Sequence, residues 1–368
     1  MKVLICSPFN GVVGGILRWS NNILSYLKDT NDGSLEIEIL DFSRKINGHN
    51  IPNKFLKLIR AGFDYIYLVL KSIKAISKFK GEIIHITTPG SFLLLKDIIL
   101  IKISHRYGFK TVVHFHYGRI PDLFVNRGWE YRLLIKVVSL SDKAIVIDNK
   151  SYSVLINEGF NNVSLLANPI APLTEELITR NLSIKREQRK IVFAGYVIRT
   201  KGVYELVEAC STIPDIKLKI IGTVSDKVRA ELFQMSGKTS SNWLEISGEK
   251  GYEETIKEML SAGVFVLPTY TEGFPNVILE SMACGCPIVT TDVGAIPEML
   301  NIENNSHCGI CVKPRDVESL RKAIIKMLDD RTYALECASN ARSRVLENYS
   351  IQKVSSLLIS IWKSTINN

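Results

Sequence analysis

Two carboxylates eight positions apart, Glu272 and Glu280, stand in the segment TYTEGFPNVILESMACGCPIV, residues 269–289. The preceding run VFVLPTY predicts a strand, TEGF a turn, and Pro275 the first residue of a helix, where its missing N–H costs nothing. Glu280 then lies about 7 to 8 Å further along the helix axis. Because the amides of a helix start bind anions, a diphosphate there would have one carboxylate beyond each end. That layout fits a nucleotide diphosphate sugar.

A second interpretation of the same spacing needs no ligand. An acid at a helix start stabilises the helix dipole, and an acid further along a helix is commonly a solvated surface group. Spacing alone does not separate the two interpretations.

A cation follows a glycine turn in the segment FAGYVIRTKGVYELVEA, where Gly195 ends a predicted strand and Lys201 precedes a predicted helix. A lysine at this place can neutralise a diphosphate leaving group, although a lone lysine at a helix start is more often solvated. Arg199 stands two residues before Lys201 and is a second candidate cation.

Two further features precede these segments in the chain. His114 and His116 share one face of the predicted strand TVVHFHY, and a histidine there is either a packed core residue or a cleft residue. No acid at ligand spacing accompanies them, so we expect no metal site. Gly14 and Gly15 lie between the first strand and first helix, in a pattern that is not GxGxxG and does not indicate a dinucleotide site.

The seven cysteines are an odd set, which favours reduced intracellular thiols over disulfides. The pairs Cys284 with Cys286 and Cys308 with Cys311 have the composition of a four-thiolate zinc site. The first pair leads into Pro287 and a predicted strand, so we interpret these cysteines as buried packing residues.

Predicted strands and helices alternate in both halves of the chain, and these elements must position the groups described above. The strands are short apolar runs rich in Ile and Val. Such alternation predicts parallel sheets covered by helices on both faces. We expect an α/β protein of two facing, doubly wound, Rossmann-like domains with a cleft at the carboxyl ends of both sheets. The boundaries are residues 1–168, a linker at 169–188, and residues 189–349. Residues 350–368 predict a helix, for which packing back on the first domain is one option.

Charge is concentrated in the first half. Residues 1–168 carry 22 Lys and Arg against 13 Asp and Glu, whereas the remainder carries 24 of each. The segment NKFLKLIRAGFDYIYLVLKSIKAISKFKG is basic and amphipathic, which suits an anionic membrane surface, or else a core-packed helix with a solvated lysine face. Its basic residues are Lys54, Lys57, Arg60, Lys71, Lys74, Lys78 and Lys80. No nucleic-acid motif accompanies them, so we expect no nucleic-acid partner.

No stretch has the roughly 18 uninterrupted apolar residues of a membrane span. The apolar run of MKVLICSPFN stops at Pro8, which indicates a first strand and no secretory signal. With an apolar content of 46% and a charged content of 23%, the chain is expected to be globular and cytoplasmic, bound peripherally to the inner face of the membrane.

The identities in EGFPNVILESMACGCPIVTTDVGAIPEML closely resemble the signature of the family 4 retaining glycosyltransferases, which have the GT-B fold. Glu272 and Glu280 match the E-x7-E motif, and the resemblance implies that they contact the donor sugar and the ribose. Gly294 and Glu298 match a further, structural part. Lys201 matches the lysine of the GR-(x)4-KG pattern, but Tyr196 stands where the family commonly has arginine. Arg199 is our candidate to supply that charge.

The resemblance extends sparsely into the first half. Gly14 and Gly15 are similar to a family GG turn, and His116, with His114 as second choice, matches a histidine near the transferred sugar. The resemblance thus implies four catalytic residues, which are Lys201, Glu272, His116 and Arg199. The implied donor-binding residues are Gly14, Gly15, Gly195, Gly273, Phe274, Pro275, Asn276, Val277 and Glu280.

The function implied is sugar transfer, with retention, from a nucleotide diphosphate sugar to an acceptor hydroxyl, without a metal or another cofactor. Family habit and the basic first domain together suggest a lipid-linked glycan acceptor in surface polysaccharide synthesis. Two alternatives stay open: a membrane-associated nucleotide-sugar-binding subunit that does no chemistry, and a nucleotide sugar epimerase. Turnover of a nucleotide sugar would exclude the first, and conversion of donor without acceptor would identify the second.

Overall fold

A computed structural model describes residues 1–11, 14–30, 33–43, 54–237, 240–304 and 306–367; the side chains of 54–59, 61, 240 and 241 lie outside this description. The chain divides into two compact units. The first comprises Met1–Asn168 together with Ile351–Asn368, and the second comprises Pro169–Ser350.

Twelve strands form in the described residues, six in each unit. Those of the first unit are β1 Lys2–Ser7, β2 Glu36–Asp41, β3 Ile83–Thr88, β4 Lys110–Phe115, β5 Lys143–Val146 and β6 Val163–Leu165. Those of the second unit are β7 Glu187–Ala194, β8 Lys217–Ile221, β9 Leu244–Gly248, β10 Ala262–Leu267, β11 Ile288–Thr291 and β12 Ile310–Val312. The first eleven coincide with apolar runs of the sequence, whereas β12 was not predicted.

The helices of the described residues follow in chain order. They are α1 Gly15–Asp29, α2 Lys54–Lys78, α3 Leu93–Arg106, α4 Ile120–Asn126, α5 Trp129–Leu140, α6 Asn149–Asn157, α7 Pro172–Arg180, α8 Val203–Cys210, α9 Asp226–Met235, α10 Ser240–Trp243, α11 Tyr252–Ser261, α12 Asn276–Ala283, α13 Ile296–Met299, α14 Val317–Asp329, α15 Arg331–Tyr349 and α16 Ile351–Asn367. A single 3₁₀ turn, Arg199–Lys201, precedes α8.

Each unit contains one parallel six-stranded sheet. The strand order is β2-β1-β3-β4-β5-β6 in the first and β12-β11-β10-β7-β8-β9 in the second. In each sheet the chain moves outward on one side and then starts again on the other, so the order reverses at a single point. This switch point lies between β1 and β3 in the first sheet and between β7 and β10 in the second. Doubly wound sheets bind ligands at the carboxyl ends of the strands beside such a point.

The predicted α/β class with two doubly wound sheets is therefore confirmed. In the first unit, apolar side chains form one core cluster on each face of the sheet. The helix α16 contributes five buried apolar side chains to one of these clusters, so the last helix of the chain belongs to the first unit. These side chains are Ile351, Val354, Leu358, Ile361 and Trp362.

The segment 169–188, expected as a linker, is instead an integral part of the second unit. It contains α7, whose Leu177 and Ile178 are buried, and the first two residues of β7. Many charges hide the helical period of α7, because its exposed face carries them and only a narrow side is apolar. None of the helices in the described ranges is long and apolar enough to cross a membrane.

Candidate functional site

Two loops meet at the switch point of the second sheet. The loop after β7 contains the 3₁₀ turn with Lys201, and the loop after β10 contains Glu272. The backbone N–H of Tyr270 donates to the carbonyl of Thr200 at 2.8 Å, which joins the two loops directly. Gly202 has a φ of +71°, and a Cβ there would lie 1.9 Å from the carbonyl oxygen of Pro268. Only glycine permits this approach, so the glycine after Lys201 sets the distance between the loops.

Lys201 and Glu272 form an ion pair across these loops, in which the Lys201 ammonium donates to a Glu272 carboxylate oxygen. The two side chains are 23% and 14% exposed, so both are largely shielded but still reachable from solvent. An ammonium and a carboxylate in this setting offer a cation for a phosphate and an acceptor for hydroxyl groups.

The Glu272 loop is also held from its other side. Gly294 has a φ of +56°, and a Cβ there would lie 2.2 Å from the carbonyl oxygen of Glu272 and 2.8 Å from that of Gly273. The next residue, Ala295, donates its N–H to the Gly273 carbonyl at 3.0 Å. The predicted structural role of Gly294 thus has a physical basis in close backbone packing.

Helix α12 begins at Asn276, and Pro275 precedes it in an extended conformation, with a φ of −73° and a ψ of 114°. Pro275 is therefore not the first helical residue, as the sequence suggested. Glu280 follows four residues into the helix, about 6 Å along its axis, and is only 6% exposed. A solvated surface acid, the second interpretation of Glu280, is thereby wrong.

The residues between the two glutamates differ in exposure. Phe274 is buried, and its ring packs edge-on against Tyr349 with ring centroids 5.6 Å apart. Gly273, Asn276 and Val277 are partly exposed. These three residues are therefore partly accessible to solvent, while the Phe274 side chain anchors the loop to the end of α15.

Arg199, the candidate to replace the missing arginine, lies in the same 3₁₀ turn as Lys201. Its guanidinium group stands 4.0 Å from the centre of the Tyr204 ring, a cation–π contact. Tyr196 is 53% exposed. Arg199 is thus held at this edge of the sheet by an aromatic ring of α8.

Three residues near this site were missed from the sequence. The Tyr270 hydroxyl donates to Glu205 at 2.5 Å, and Arg315 lies 4.6 Å from the centre of the Tyr270 ring. Burial, followed by the Glu205 hydrogen bond, raises the pKa of Tyr270 to about 12. Arg315 has a φ of +67°, which is unusual for a residue with a side chain. Nothing in the sequence around Arg315 signals this placement, because it depends on β12 pairing beside β11.

The candidates from the first half of the sequence lie in the first unit, where the ring of Trp19, on α1, contacts three histidines. Its ring stacks on His85 at 5.6 Å and meets His114 and His116 edge-on at 4.8 and 5.0 Å between centroids. Burial lowers the pKa of His85 and of His116 to about 3, and lowers that of His114 well below its usual range. All three are therefore neutral at physiological pH. His85 was not predicted; it lies on β3, beside β4, which carries His114 and ends immediately before His116.

Gly14 and Gly15 precede and begin α1. Among the described residues, no atom lies within 4 Å of a Cβ built at either glycine, and neither has a positive φ. Packing among the described residues therefore does not require glycine at these two positions.

The described part of the chain contains no group of three or more His, Cys, Asp and Glu side chains placed to hold a metal ion. All seven cysteines are free, and Cys284, Cys286 and Cys308 are buried. Burial raises the pKa of Cys308 to about 11 and that of Cys311 to about 12, so both are protonated thiols at neutral pH.

Comparison with known proteins finds glycosyltransferases that are similar to this chain in sequence. The family model for "Glycosyl transferases group 1" matches residues 174–344, which lie within the second unit. A putative teichuronic acid biosynthesis glycosyltransferase of Bacillus subtilis is 27% identical over 180 residues, which cover 49% of this chain and 43% of that protein. The chain thus aligns with less than half of that relative. An uncharacterised glycosyltransferase of Methanocaldococcus jannaschii is 22% identical over 93% of this chain and 92% of its own length.

Solved structures resemble the chain over nearly its whole length. Sucrose-phosphate synthase from Thermosynechococcus elongatus has a TM-score of 0.73 at 16% identity, covering 99% of this chain and 98% of that one. The Anabaena protein HepE in complex with UDP has a TM-score of 0.72 at 16% identity, covering 99% and 100%. Such identities establish the fold, which is GT-B. Residues 174–344, just under half of the chain, are similar to the glycosyl transferases group 1 family.

Proposed function

We propose that the protein is a retaining glycosyltransferase that moves a sugar from a nucleotide diphosphate sugar to a hydroxyl of a lipid-linked glycan. The observation that carries this proposal is the Lys201–Glu272 pair at the switch point of the second sheet. The loops that carry Lys201 and Glu272 are held in place by close backbone contacts at Gly202 and Gly294. Packing of the core alone would not require this ion pair at the edge of the sheet where doubly wound folds bind ligands.

Donor binding would exchange the partners of this pair. A diphosphate has anionic oxygens that can take the place of the carboxylate at Lys201, and a sugar has hydroxyls that can donate to Glu272. While no donor is bound, the ion pair would keep the Lys201 and Glu272 side chains oriented by letting each satisfy the other. Because both groups are already desolvated and positioned, little reorganisation accompanies the exchange.

The rest of the donor would follow the course of α12. The amino end of this helix carries partial positive charge that favours the diphosphate. Glu280, buried one turn into the helix, would accept ribose hydroxyls. Gly195, at the end of β7, and the partly exposed Gly273, Asn276 and Val277 would bring backbone close to the phosphates and the sugar.

Retention would follow from departure and attack on the same face of the sugar, so that the leaving diphosphate helps to deprotonate the acceptor. Neither glutamate then needs to form a covalent intermediate. Lys201, the α12 amino end and Arg199 would stabilise the negative charge that develops on the diphosphate, and we expect the reaction to proceed without a metal. His116 and the Gly14–Gly15 turn would serve the transferred sugar and the acceptor; the neutral state of His116 suits hydrogen bonding to hydroxyls.

The names of relatives support the acceptor class. One is a teichuronic acid biosynthesis glycosyltransferase, and another is a capsular polysaccharide biosynthesis glycosyltransferase of Staphylococcus aureus, 27% identical over 47% of this chain. A third, from Campylobacter jejuni, is named as an N-acetylgalactosaminyltransferase for N,N'-diacetylbacillosaminyl-diphospho-undecaprenol. Surface polysaccharide synthesis on a lipid carrier would place this protein peripherally on the cytoplasmic face of the membrane.

Charge and exposure in the first unit support that placement. With Lys353 and Lys363 of α16, this unit carries 24 basic and 13 acidic residues. On α2, a stripe of four apolar side chains is 56–67% exposed, and it therefore does not pack in the core. These side chains are Phe63, Ile66, Tyr67 and Leu70. Exposed Lys74 and Lys78 follow on the same helix, while the side chains of Lys54 and Lys57 lie outside the described residues.

The donor proposal is tested by thermal shift against UDP-, GDP- and ADP-sugars. A ligand present at about 100 times its Kd adds about 2.7 kcal/mol to the free energy of unfolding. Lys201→Ala and Glu272→Ala should each abolish the shift or the sugar transfer while leaving the unliganded melting temperature close to that of the wild type. The matched control is Lys257→Ala, which breaks an exposed Lys–Glu pair of α11. Full transfer activity in either site variant would refute the assignment.

Vesicle co-sedimentation tests the membrane placement. We expect binding to vesicles with anionic lipid and weak binding to neutral vesicles, and loss of binding in a Phe63→Ser, Leu70→Ser double variant. Leu182→Ser, which changes a side chain that is 70% exposed in the second unit, is the control. Equal binding to neutral and anionic vesicles would contradict the electrostatic part of the proposal.

A further inference from the structure

The C-terminal helix makes one buried polar contact with the sheet of the first unit. The indole Nε1 of Trp362, on α16, donates a hydrogen bond to Nδ1 of His85, on β3, at 3.0 Å. Both residues are completely buried, and their rings meet edge-on with centroids 5.7 Å apart. The contact joins positions 277 residues apart, so it depends on the tertiary fold alone.

This hydrogen bond determines where the His85 proton resides. An indole N–H can only donate, so Nδ1 of His85 must be the unprotonated, accepting nitrogen. Burial lowers the pKa of His85 to about 3, so the ring is neutral and carries its single proton on Nε2. In this tautomer the nitrogen remote from Trp362 presents an N–H and not a lone pair.

The Nε2 side of His85 belongs to the histidine cluster under Trp19. The His85 and His114 ring centroids are 5.6 Å apart, and those of His114 and His116 are 3.9 Å apart. Within the described residues, His85 Nε2 and both ring nitrogens of His114 are buried without a hydrogen-bond partner. In a buried environment of low dielectric constant, the preferred orientation of each ring dipole depends strongly on that of the neighbouring ring. The dipole of the His85 ring therefore biases the proton position on His114. The proton position on His116 then depends on two neighbours, the His114 ring and the Asn168 side chain with which His116 forms a hydrogen bond.

A metal ion is a poorer account of the same cluster. A histidine binds a metal through an unprotonated nitrogen, and the only such nitrogen of His85 already accepts from Trp362. His85 therefore contributes no ligand, and the remaining pair of histidines is too small a set for a closed site.

We propose that Trp362 is a positioning residue that fixes the Nε2–H tautomer of His85 and thereby the proton positions of the His85–His114–His116 cluster. Residues near the end of the chain would thus set the donor and acceptor pattern presented by His116. The link to sugar transfer rests on the proposed function, whereas the tautomer itself does not.

The test is nitrogen NMR of histidine side chains in the full-length chain. Protonated and unprotonated ring nitrogens have distinct ¹⁵N shifts, and the His85 signals are identified by their loss in His85→Gln. The wild type should show His85 with a protonated Nε2 and an unprotonated Nδ1. Trp362→Phe keeps an aromatic ring but removes the donor, so His85 should become a mixture of tautomers and the ring nitrogens of His116 should shift.

Trp19→Phe is the matched control, because the Trp19 Nε1 has no partner in the described residues. This change should leave the pattern of protonated nitrogens intact although it alters the packing of the same three rings. If Trp362→Phe does not fold, benzothienylalanine at position 362 removes the N–H with little change of shape. An unchanged His85 tautomer in the folded variant, or equal effects of the two tryptophan variants, would overturn the proposal.

Kinetics separate this inference from the proposed function. With transfer established in the wild type, Trp362→Phe should lower kcat about fivefold and leave the donor KM unchanged. This is the loss expected if His116 makes one neutral hydrogen bond fewer to the transferred sugar in the transition state. A changed tautomer with unchanged kcat would overturn the positioning role. Absence of sugar transfer in the wild type would refute the proposed function, while the NMR result would still decide whether Trp362 fixes the tautomer.

Discussion

Gly294→Ala is the sharpest perturbation of the candidate site, because it moves Glu272 without touching its side chain. An added Cβ would lie 2.2 Å from the Glu272 carbonyl oxygen, whereas ordinary contact begins at 3.4 Å. The atoms in the way belong to the backbone of Glu272 and Gly273 and cannot rotate aside, so this peptide must shift by roughly 1 Å. A displacement of that size at a reacting group costs on the order of 100-fold in rate.

Gly285→Ala separates this clash from backbone strain. Gly285 has a φ of +58°, nearly equal to the +56° of Gly294, but a Cβ there meets side chains and backbone only at 3.8 to 4.0 Å. Both variants should lose about 1 to 2 kcal/mol of unfolding free energy from the left-handed conformation. Gly294→Ala should lose about 1 to 3 kcal/mol more from overpacking.

The assay is kcat/KM for sugar transfer, with urea unfolding of both variants. We expect a rate loss of about 100-fold in Gly294→Ala and nearly wild-type activity in Gly285→Ala. Activity of Gly294→Ala within about threefold of Gly285→Ala, with the expected extra destabilisation, would show that displacement of the Glu272 backbone does not affect the chemistry. The reasoning from Gly294 to Glu272 would then be wrong.

Further predictions concern stability. The folded pKa of the two fully buried histidines, His85 and His114, lies below the ordinary 6.5, so as the pH falls below 6.5 the unfolded chain binds protons that the folded chain does not. As the pH falls, each histidine should remove up to about 1.4 kcal/mol of unfolding free energy per pH unit. In His114→Gln, the dependence of unfolding free energy on pH, measured by urea unfolding from pH 6.5 to 5, should be smaller by that amount. An unchanged dependence would mean that His114 is not kept neutral. Arg315→Ala should destabilise by about 0.5 to 1 kcal/mol through loss of the Tyr270 contact, whereas Arg315→Gly should be nearly neutral because it also relieves the φ of +67°; equal losses in chemical denaturation would contradict this balance. Gly202→Ala should destabilise by more than 2 kcal/mol, because its Cβ would meet the Pro268 carbonyl at 1.9 Å, and a smaller loss would show that the two loops can separate.

The elements of the fold were largely readable from the sequence, since buried parallel strands appear as continuous apolar runs. The exceptions have physical causes. Strand β12 has three residues, all only partly buried, so its pattern is too short to detect. Helix α7 is short and has only two buried apolar side chains, Leu177 and Ile178, so its pattern resembles that of a linker.

The sequence indicated candidate residues for the site but not how they are arranged. Motif identities indicated Lys201 and Glu272 individually, yet their pairing depends on β7 and β10 being neighbours, which no local pattern states. The contacts of Arg315 and of His85 likewise connect residues far apart in sequence. Their signals exist only after the sheets have formed.

The division of the chain also orders its biosynthesis. The second unit is one continuous segment, so all of it has been translated by Ser350. The first unit is begun earlier but still lacks α16 at that moment, so the core cluster that α16 shares with α1 is incomplete until Leu358 and Trp362 have been added. During translation the first unit therefore stays incomplete until α16 has emerged, although its first residues are the earliest to be made.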